Sequence, residues 1–305
     1  MKVFNKYCLM ECSQNYIAVR NKININLECI NEWQCWKNYT GKIEGNVCVT
    51  TCNWICWHWL TQSFKYFFQV AIKDINPDIV KCEETFLNEA NVMASLKHEN
   101  LTKLVGVCVA NGIKIITLLR PFGSLNTFLK NNQYGMFVGP YEQMLYCYQI
   151  SKAMAYLTSQ KIVHRDLASR NVLVYKLHHI EVSDFGLARM VDLRDESGQV
   201  QVIPTFWAAM ECLEKAHTES IYNERTDVWS FGVTCWEILT RTKVLPYEDV
   251  WHDQKRIYIL NTREKMTGQI EEVSKVLYEA LKNGKRLCQP KNCVETLWTT
   301  ILSCW

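Results

Sequence analysis

Residues 162–174 read Ile-Val-His-Arg-Asp-Leu-Ala-Ser-Arg-Asn-Val-Leu-Val, and Ser-Asp-Phe-Gly-Leu-Ala-Arg follows at 183–189. The first segment supplies an acid able to take a proton from a hydroxyl, Asp166, and an amide placed to hold a metal, Asn171. The second supplies a carboxylate for a metal, Asp184, ahead of a Phe-Gly pivot. Phosphoryl transfer needs these parts, because its catalysis is mostly positioning and neutralisation of phosphate charge. A His-Arg-Asp tripeptide alone would carry little weight. Here Asn171 comes five residues after Asp166, a strand-like run at 172–175 follows, and the Asp-Phe-Gly arrives in its turn. A buried salt bridge in an arbitrary fold has no need of that whole order.

Other elements must bring a cation to the phosphates. Val70-Ala71-Ile72-Lys73 follows an aromatic, β-prone stretch at 64–68, which predicts a strand carrying Lys73. Residues 83–98 read as a helix whose buried face is Phe86, Ala90, Met93 and Leu96. Glu89 sits at the edge of that face. A lone glutamate on a helix is usually solvated, but this position favours an ion pair with Lys73. Strands are expected near 102–109 and 113–119. A helix over 141–160 would bury Met144, Cys147, Ile150, Met154 and Leu157. The helix starting at Asp227 is apolar nearly all round and must be central.

From about residue 67 to the C-terminus the chain resembles a protein kinase domain of the tyrosine-kinase group. Leu-Ala-Ser-Arg-Asn at 167–171 carries the group resemblance, since Arg170 stands where tyrosine kinases place an arginine. Pro204 and Trp207 resemble the wall on which a tyrosine rests, and 231–240 resembles the group's central helix. Within the group, 116–123, 202–211 and 283–287 resemble the epidermal growth factor receptor family.

The resemblance implies an α+β, two-lobed protein kinase fold. A small β-rich upper lobe would span 67–120 and a larger helical lower lobe 121–305, with nucleotide between them. It implies a catalytic set of Asp166, Arg170, Lys73 and Glu89, with Asn171 and Asp184 on Mg²⁺. ATP would be held by Lys73, Ala71, the gatekeeper Thr117, the hinge residues Leu118 and Leu119, and Leu173. Met93, Leu104, His164 and Phe185 would form a stacked apolar column. Expected partners are protein substrates with tyrosine and, by the same resemblance, a second kinase domain.

Composition fits a folded chain of 305 residues with a sizeable core. A net charge of +3 with 21% charged residues gives no sign of a nucleic-acid stripe or a polybasic membrane patch. No apolar run reaches the ~18 residues of a membrane span. The N-terminus lacks the apolar stretch of a signal peptide. The expected location is cytoplasmic, with a plasma-membrane receptor as the parent protein. Seven of the fifteen cysteines lie in residues 1–56, and the scattered remainder read as small buried apolar residues in a reducing compartment. Cys48, Cys52 and Cys56 have a spacing that suggests metal, yet no partner pair completes a zinc site.

Three features depart from the family pattern. No glycine-rich loop precedes Lys73: residues 41–72 contain only Gly41 and Gly45. The Trp- and Cys-rich stretch at 48–68 has no clear period, so residues 1–66 read as foreign to the domain. The chain stops at Trp305 before the helices and arginine the family pattern would add, which predicts a buried, partnerless Glu211 and an apolar face of Val294, Leu297, Trp298, Ile301, Leu302 and Trp305 that stays partly wet. An insertion is expected at 251–269. The segment 184–211 contains no tyrosine, leaving Ser197 and Thr205 as its hydroxyls. Two function classes follow: a protein tyrosine kinase, favoured by the complete chemical set, and a catalytically weak kinase-like docking or allosteric module, favoured by the missing glycine loop.

Overall fold

The computed structural model describes residues 3–4, 7–12, 15–20, 42–44, 47–56, 66–74, 83–108, 114–131, 135–186, 188–190, 204–214, 222–250, 267–291 and 293–305. They form two compact units, residues 1–97 with 101–121, and residues 98–100 with 122–305.

The first unit is built on an eight-stranded antiparallel sheet of order β1-β2-β3-β7-β8-β6-β5-β4. Its strands are β1 (Val3–Phe4), β2 (Tyr7–Cys12), β3 (Asn15–Arg20), β4 (Lys42–Glu44), β5 (Val47–Cys56), β6 (Tyr66–Asp74), β7 (Leu104–Cys108) and β8 (Lys114–Leu118). Helix α1 (Glu83–Ser95) joins β6 to β7. The last two strands fall where the sequence predicts them. Strand β5 does not follow from its pattern, because apolar residues fall at odd positions (Val47, Val49, Ile55) as well as even ones (Cys48, Cys52, Trp54, Cys56) and erase the alternation. It nevertheless pairs with β6 from Val49↔Lys73 to Cys56↔Tyr66. Residues assigned to a foreign segment thus extend the sheet that carries Lys73. The side chains of Cys48, Cys52 and Cys56 lie outside what the structure describes.

The second unit is helical. Its elements are α2 (Leu125–Asn131), α3 (Pro140–Ser159), β9 (Ile162–Val163), β10 (Val172–Lys176), β11 (His179–Val182), β12 (Arg189–Met190), α4 (Met210–Glu214), α5 (Glu224–Leu239), α6 (Thr267–Lys282) and α7 (Glu295–Leu302). Helix α5 is the centre, with Val233, Cys235 and Ile238 at most 1% exposed. Asn223 caps it: its side chain accepts the N–H groups of Arg225 at 2.8 Å and Thr226 at 3.3 Å.

The buried face of α3 is rotated from the expected one. Cys147, Ile150, Met154 and Leu157 are inside, but Met144 is exposed, and Gln143 and Gln149 are buried. The glutamines are inside because backbone groups need them. Gln143 donates to the carbonyl of Ile238 at 2.7 Å, closing the end of α5. Gln149 accepts the N–H of Ile180 at 2.8 Å and donates to the carbonyl of His178 at 2.8 Å.

Helix α7 packs on α5. Trp298 and Ile301 are buried, and the Trp305 indole donates to the carbonyl of Trp229 at 3.3 Å. The apolar face expected to stay partly wet is partly covered, with Val294 and Leu302 exposed. Glu211 is exposed, so it does not carry the cost of a buried carboxylate. Cys147, Cys212 and Cys235 are buried and free as expected, whereas Cys288 is exposed. The expected insertion lies outside the described residues as far as 266, as does Ser197.

Candidate active site

In the first unit, β6 and α1 bring one pair together. Lys73 Nζ donates to both carboxylate oxygens of Glu89 at 2.9 Å, with Glu89 4% exposed and the lysine a quarter exposed. The sequence places Glu89 at the rim of the α1 stripe, whose Ala90 and Met93 are buried along with it. Ala71 pairs with Thr117, and Val70 with Leu118, across β6 and β8, so the residues assigned to adenine share one stretch of sheet. Leu119 follows directly, half-buried.

In the second unit, the loop between β9 and β10 carries the acid. Arg170 pairs with Asp166 Oδ1, and Asn171 Nδ2 donates to Asp166 Oδ2 at 2.8 Å and to its carbonyl at 2.7 Å. Both oxygens of Asp166 are thus oriented by neighbours four and five residues along, which a 3-10 turn at Ser169–Asn171 brings back toward it. The Arg170 guanidinium lies 4.2 Å from the centroid of the Trp207 ring, a cation–π contact. Trp207 closes the 3-10 turn Thr205–Trp207, whose last N–H returns to the carbonyl of Pro204 at 2.8 Å.

The loop backbone is held from below. Asp227 on α5 accepts the N–H of His164 on Oδ2 at 2.7 Å and that of Arg165 on Oδ1 at 3.0 Å. Burial pushes this carboxyl up, while His164 and the two backbone donors pull against that. Arg165 and Asp184 both take left-handed backbone, with φ of +69° and +61°. Non-glycine residues hold that conformation only where the surroundings enforce it. His164 accepts the N–H of Asp166 on Nδ1 at 3.2 Å, which leaves Nε2–H to donate to the carbonyl of Ser183 at 3.1 Å. The imidazole lies tilted against the ring of Phe185, with centroids 5.3 Å apart, and Phe185 is fully buried. Of the expected apolar column, the second unit therefore joins His164 to Phe185, and Met93 and Leu104 are buried in the first.

Ser183 donates its N–H to the carbonyl of Asn171 at 2.8 Å, tying the two candidate metal ligands' segments together, and Asp184 is exposed. Because the Asn171 amide nitrogen is committed to Asp166, its oxygen is the end left to face a cation. An amide oxygen and a carboxylate form the hard donor set that suits Mg²⁺. Leu173, assigned to the base, is half-buried on β10, whose bridge to Ser124 fixes it.

The site contains functional groups that the sequence alone did not reveal. Asp227 was expected only as the start of a helix, and Glu237 only as a member of its apolar run. Both act through long-range backbone or side-chain bonds, which leave no local pattern. The single available signal was a carboxylate at an otherwise apolar helix, a group that needs buried donors.

This fold and these groups define a protein kinase domain. The sequence matches the protein tyrosine and serine/threonine kinase family over residues 48–305, and the chain belongs to that family. The match begins ahead of the boundary at 67 expected from the motifs. The epidermal growth factor receptor of Apis mellifera is 32% identical over 250 residues, 81% of this chain and 17% of that receptor. Receptor tyrosine-protein kinase erbB-4 of Homo sapiens is also 32% identical over 250 residues, with the same coverage of 81% and 17%. The Drosophila melanogaster epidermal growth factor receptor is 32% identical over 81% of the chain and 16% of that receptor. The chain therefore corresponds to less than a fifth of the length of each of these relatives.

Proposed function

We propose that the chain is the catalytic domain of a receptor-type protein tyrosine kinase, transferring the γ-phosphate of ATP to a tyrosine hydroxyl. The observation that carries this is the Asp166 carboxylate, oriented by Arg170 on one oxygen and Asn171 on the other, with Arg170 stacked on Trp207. The acceptor hydroxyl would donate to Asp166. Its oxygen forms the new bond to the γ-phosphorus, the bond from that phosphorus to the β,γ-bridging oxygen breaks, and ADP leaves. The hydroxyl proton passes to Asp166. In the first unit, Lys73, held by Glu89, would meet the phosphates, and Ala71, Thr117, Leu118 and Leu119 the adenine. In the second, Leu173 would meet the base, and Asn171 and Asp184 would hold Mg²⁺. The ion, when bound, neutralises phosphate charge. Protein substrates with tyrosine, dimerisation through kinase domains, and a parent receptor with this domain on the cytoplasmic side belong to the same reading. No helix among the described residues is long and apolar enough to cross a membrane.

A non-catalytic docking or allosteric module is the second reading, favoured by the scarcity of glycine before Lys73. Two peptides that differ only by tyrosine or serine at one position separate the readings. Incubation with Mg-ATP is expected to yield phosphotyrosine and no phosphoserine. Phosphate on the serine peptide would contradict the specificity, and phosphate on neither would favour the module.

A further inference from the structure

One buried carboxylate takes no part in the transfer described above, yet it joins the loop between β9 and β10 to the Thr205–Trp207 turn. Glu237, near the C-terminal end of α5, is 2% exposed. Its Oε1 accepts the hydroxyl of Ser169 at 2.8 Å. Its Oε2 accepts the backbone N–H of Ser169 at 2.9 Å and the indole Nε1–H of Trp207 at 2.8 Å. The Ser169 hydroxyl also accepts from Asn126 Nδ2 on α2 at 3.1 Å. On its other side the Trp207 ring carries Arg170, which pairs with Asp166.

A buried carboxylate is costly to desolvate and persists where several donors face it. A leucine would fill the same space but would hold neither the indole nor Ser169. Three donors converge on this group, from two segments that are far apart in sequence. Ser169 directly precedes Arg170, so the carboxylate fixes both the backbone from which Arg170 springs and the ring on which it lies.

We propose that Glu237 is a positioning residue for the acceptor tyrosine: it sets the tilt of Trp207 against Ser169 and, through Arg170, the orientation of the Asp166 carboxylate. This rests on the tyrosine-kinase reading. The carboxylate itself touches neither substrate nor nucleotide. Its effect is transmitted by the indole and the guanidinium.

Two substitutions isolate the link. Trp207→Phe deletes the indole N–H and keeps an aromatic face for Arg170. Glu237→Gln keeps one oxygen able to accept both N–H groups but removes the charge. In steady-state assays with Mg-ATP and a tyrosine peptide, Trp207→Phe is expected to raise the peptide KM about tenfold, the size of one charge-assisted hydrogen bond. The KM for ATP should stay where it is. Glu237→Gln should give a smaller rise, and the two effects should combine less than additively in the double variant, because the indole bond they share can be lost only once. Indole N–H resonances provide a readout independent of turnover. The Trp207 signal, identified by its loss in Trp207→Phe, should move in Glu237→Gln while the other tryptophans stay. An unmoved Trp207 signal, fully additive effects, or a parallel loss of Tm and all rates would overturn the proposal. If the indole signal moves but the wild type transfers nothing to tyrosine, the tyrosine-kinase reading falls and the Glu237–Trp207 tie stands.

Discussion

Asp227 holds two consecutive backbone N–H groups, of His164 and Arg165, one on each carboxylate oxygen. The second belongs to a residue with φ of +69°, a conformation that costs about 1–2 kcal/mol for a side chain with a Cβ. The aspartate therefore stabilises a turn that the chain would not take alone, and the turn presents Asp166. Asparagine has one acceptor oxygen where aspartate has two. Asp227→Asn should leave one of these N–H groups unsatisfied and lower stability by about 1–3 kcal/mol, read as a shift of the urea midpoint. An unchanged midpoint would show that the loop finds another partner. At this scale the sequence was most informative where chemistry is local. Asp166, Arg170 and Asn171 lie within five residues, and the structure brings them together on one carboxylate. It was least informative where a carboxylate serves a distant backbone, as Asp227 and Glu237 do.

At the scale of elements, α5 carries both of those carboxylates, so its packing positions the loop. A Cβ added at Gly232 would lie 2.7 Å from the Trp305 indole nitrogen and 2.8 Å from Cys304 Cβ. Glycine here lets the end of α7 approach the helix. Alanine is the better helix former by roughly 1 kcal/mol, but overpacking a tight contact costs about 1–3 kcal/mol. Neither an indole nor a Cβ can swing aside freely, so Gly232→Ala should be net destabilising and should lower Tm by a few degrees. A raised Tm would mean that the 303–305 segment yields. Helices α1 and α3 were legible from their apolar spacing and α5 from its nearly all-round apolar run, whereas α2, α4 and α6 were not read. Where the reading slipped, on α3, polar side chains were buried to satisfy backbone at the end of α5 and on β11, and a methionine was turned out instead. Strand β5 was not legible, because apolar side chains fall at both parities of its sequence.

At the scale of the whole molecule, the kinase fold was legible from ordered motifs spread along the chain, while the place of the first 56 residues was not. The described strands among them, β1 to β5, belong to the sheet, β3 by pairing with β7 and β5 by pairing with β6, and no local pattern reports those pairings. The glycine-poor stretch before Lys73 offers few of the close backbone amides that cradle phosphates. Calorimetry should therefore show Mg-ATP binding weaker than in a kinase with a glycine-rich loop, and Lys73→Met should weaken it further. Tight, Mg²⁺-dependent binding would show that another segment supplies the lid.

The central claim is that Asp166 accepts the proton of a tyrosine hydroxyl during transfer from ATP. The most direct test is the rate of phosphate incorporation into a Glu-Tyr polymer by the wild type and by Asp166→Asn, with ATP binding and Tm measured on both. We expect transfer by the wild type and none by Asp166→Asn, whose fold and ATP affinity stay nearly intact because the substitution removes only the group that orients the acceptor. Equal incorporation by the two proteins would contradict the claim.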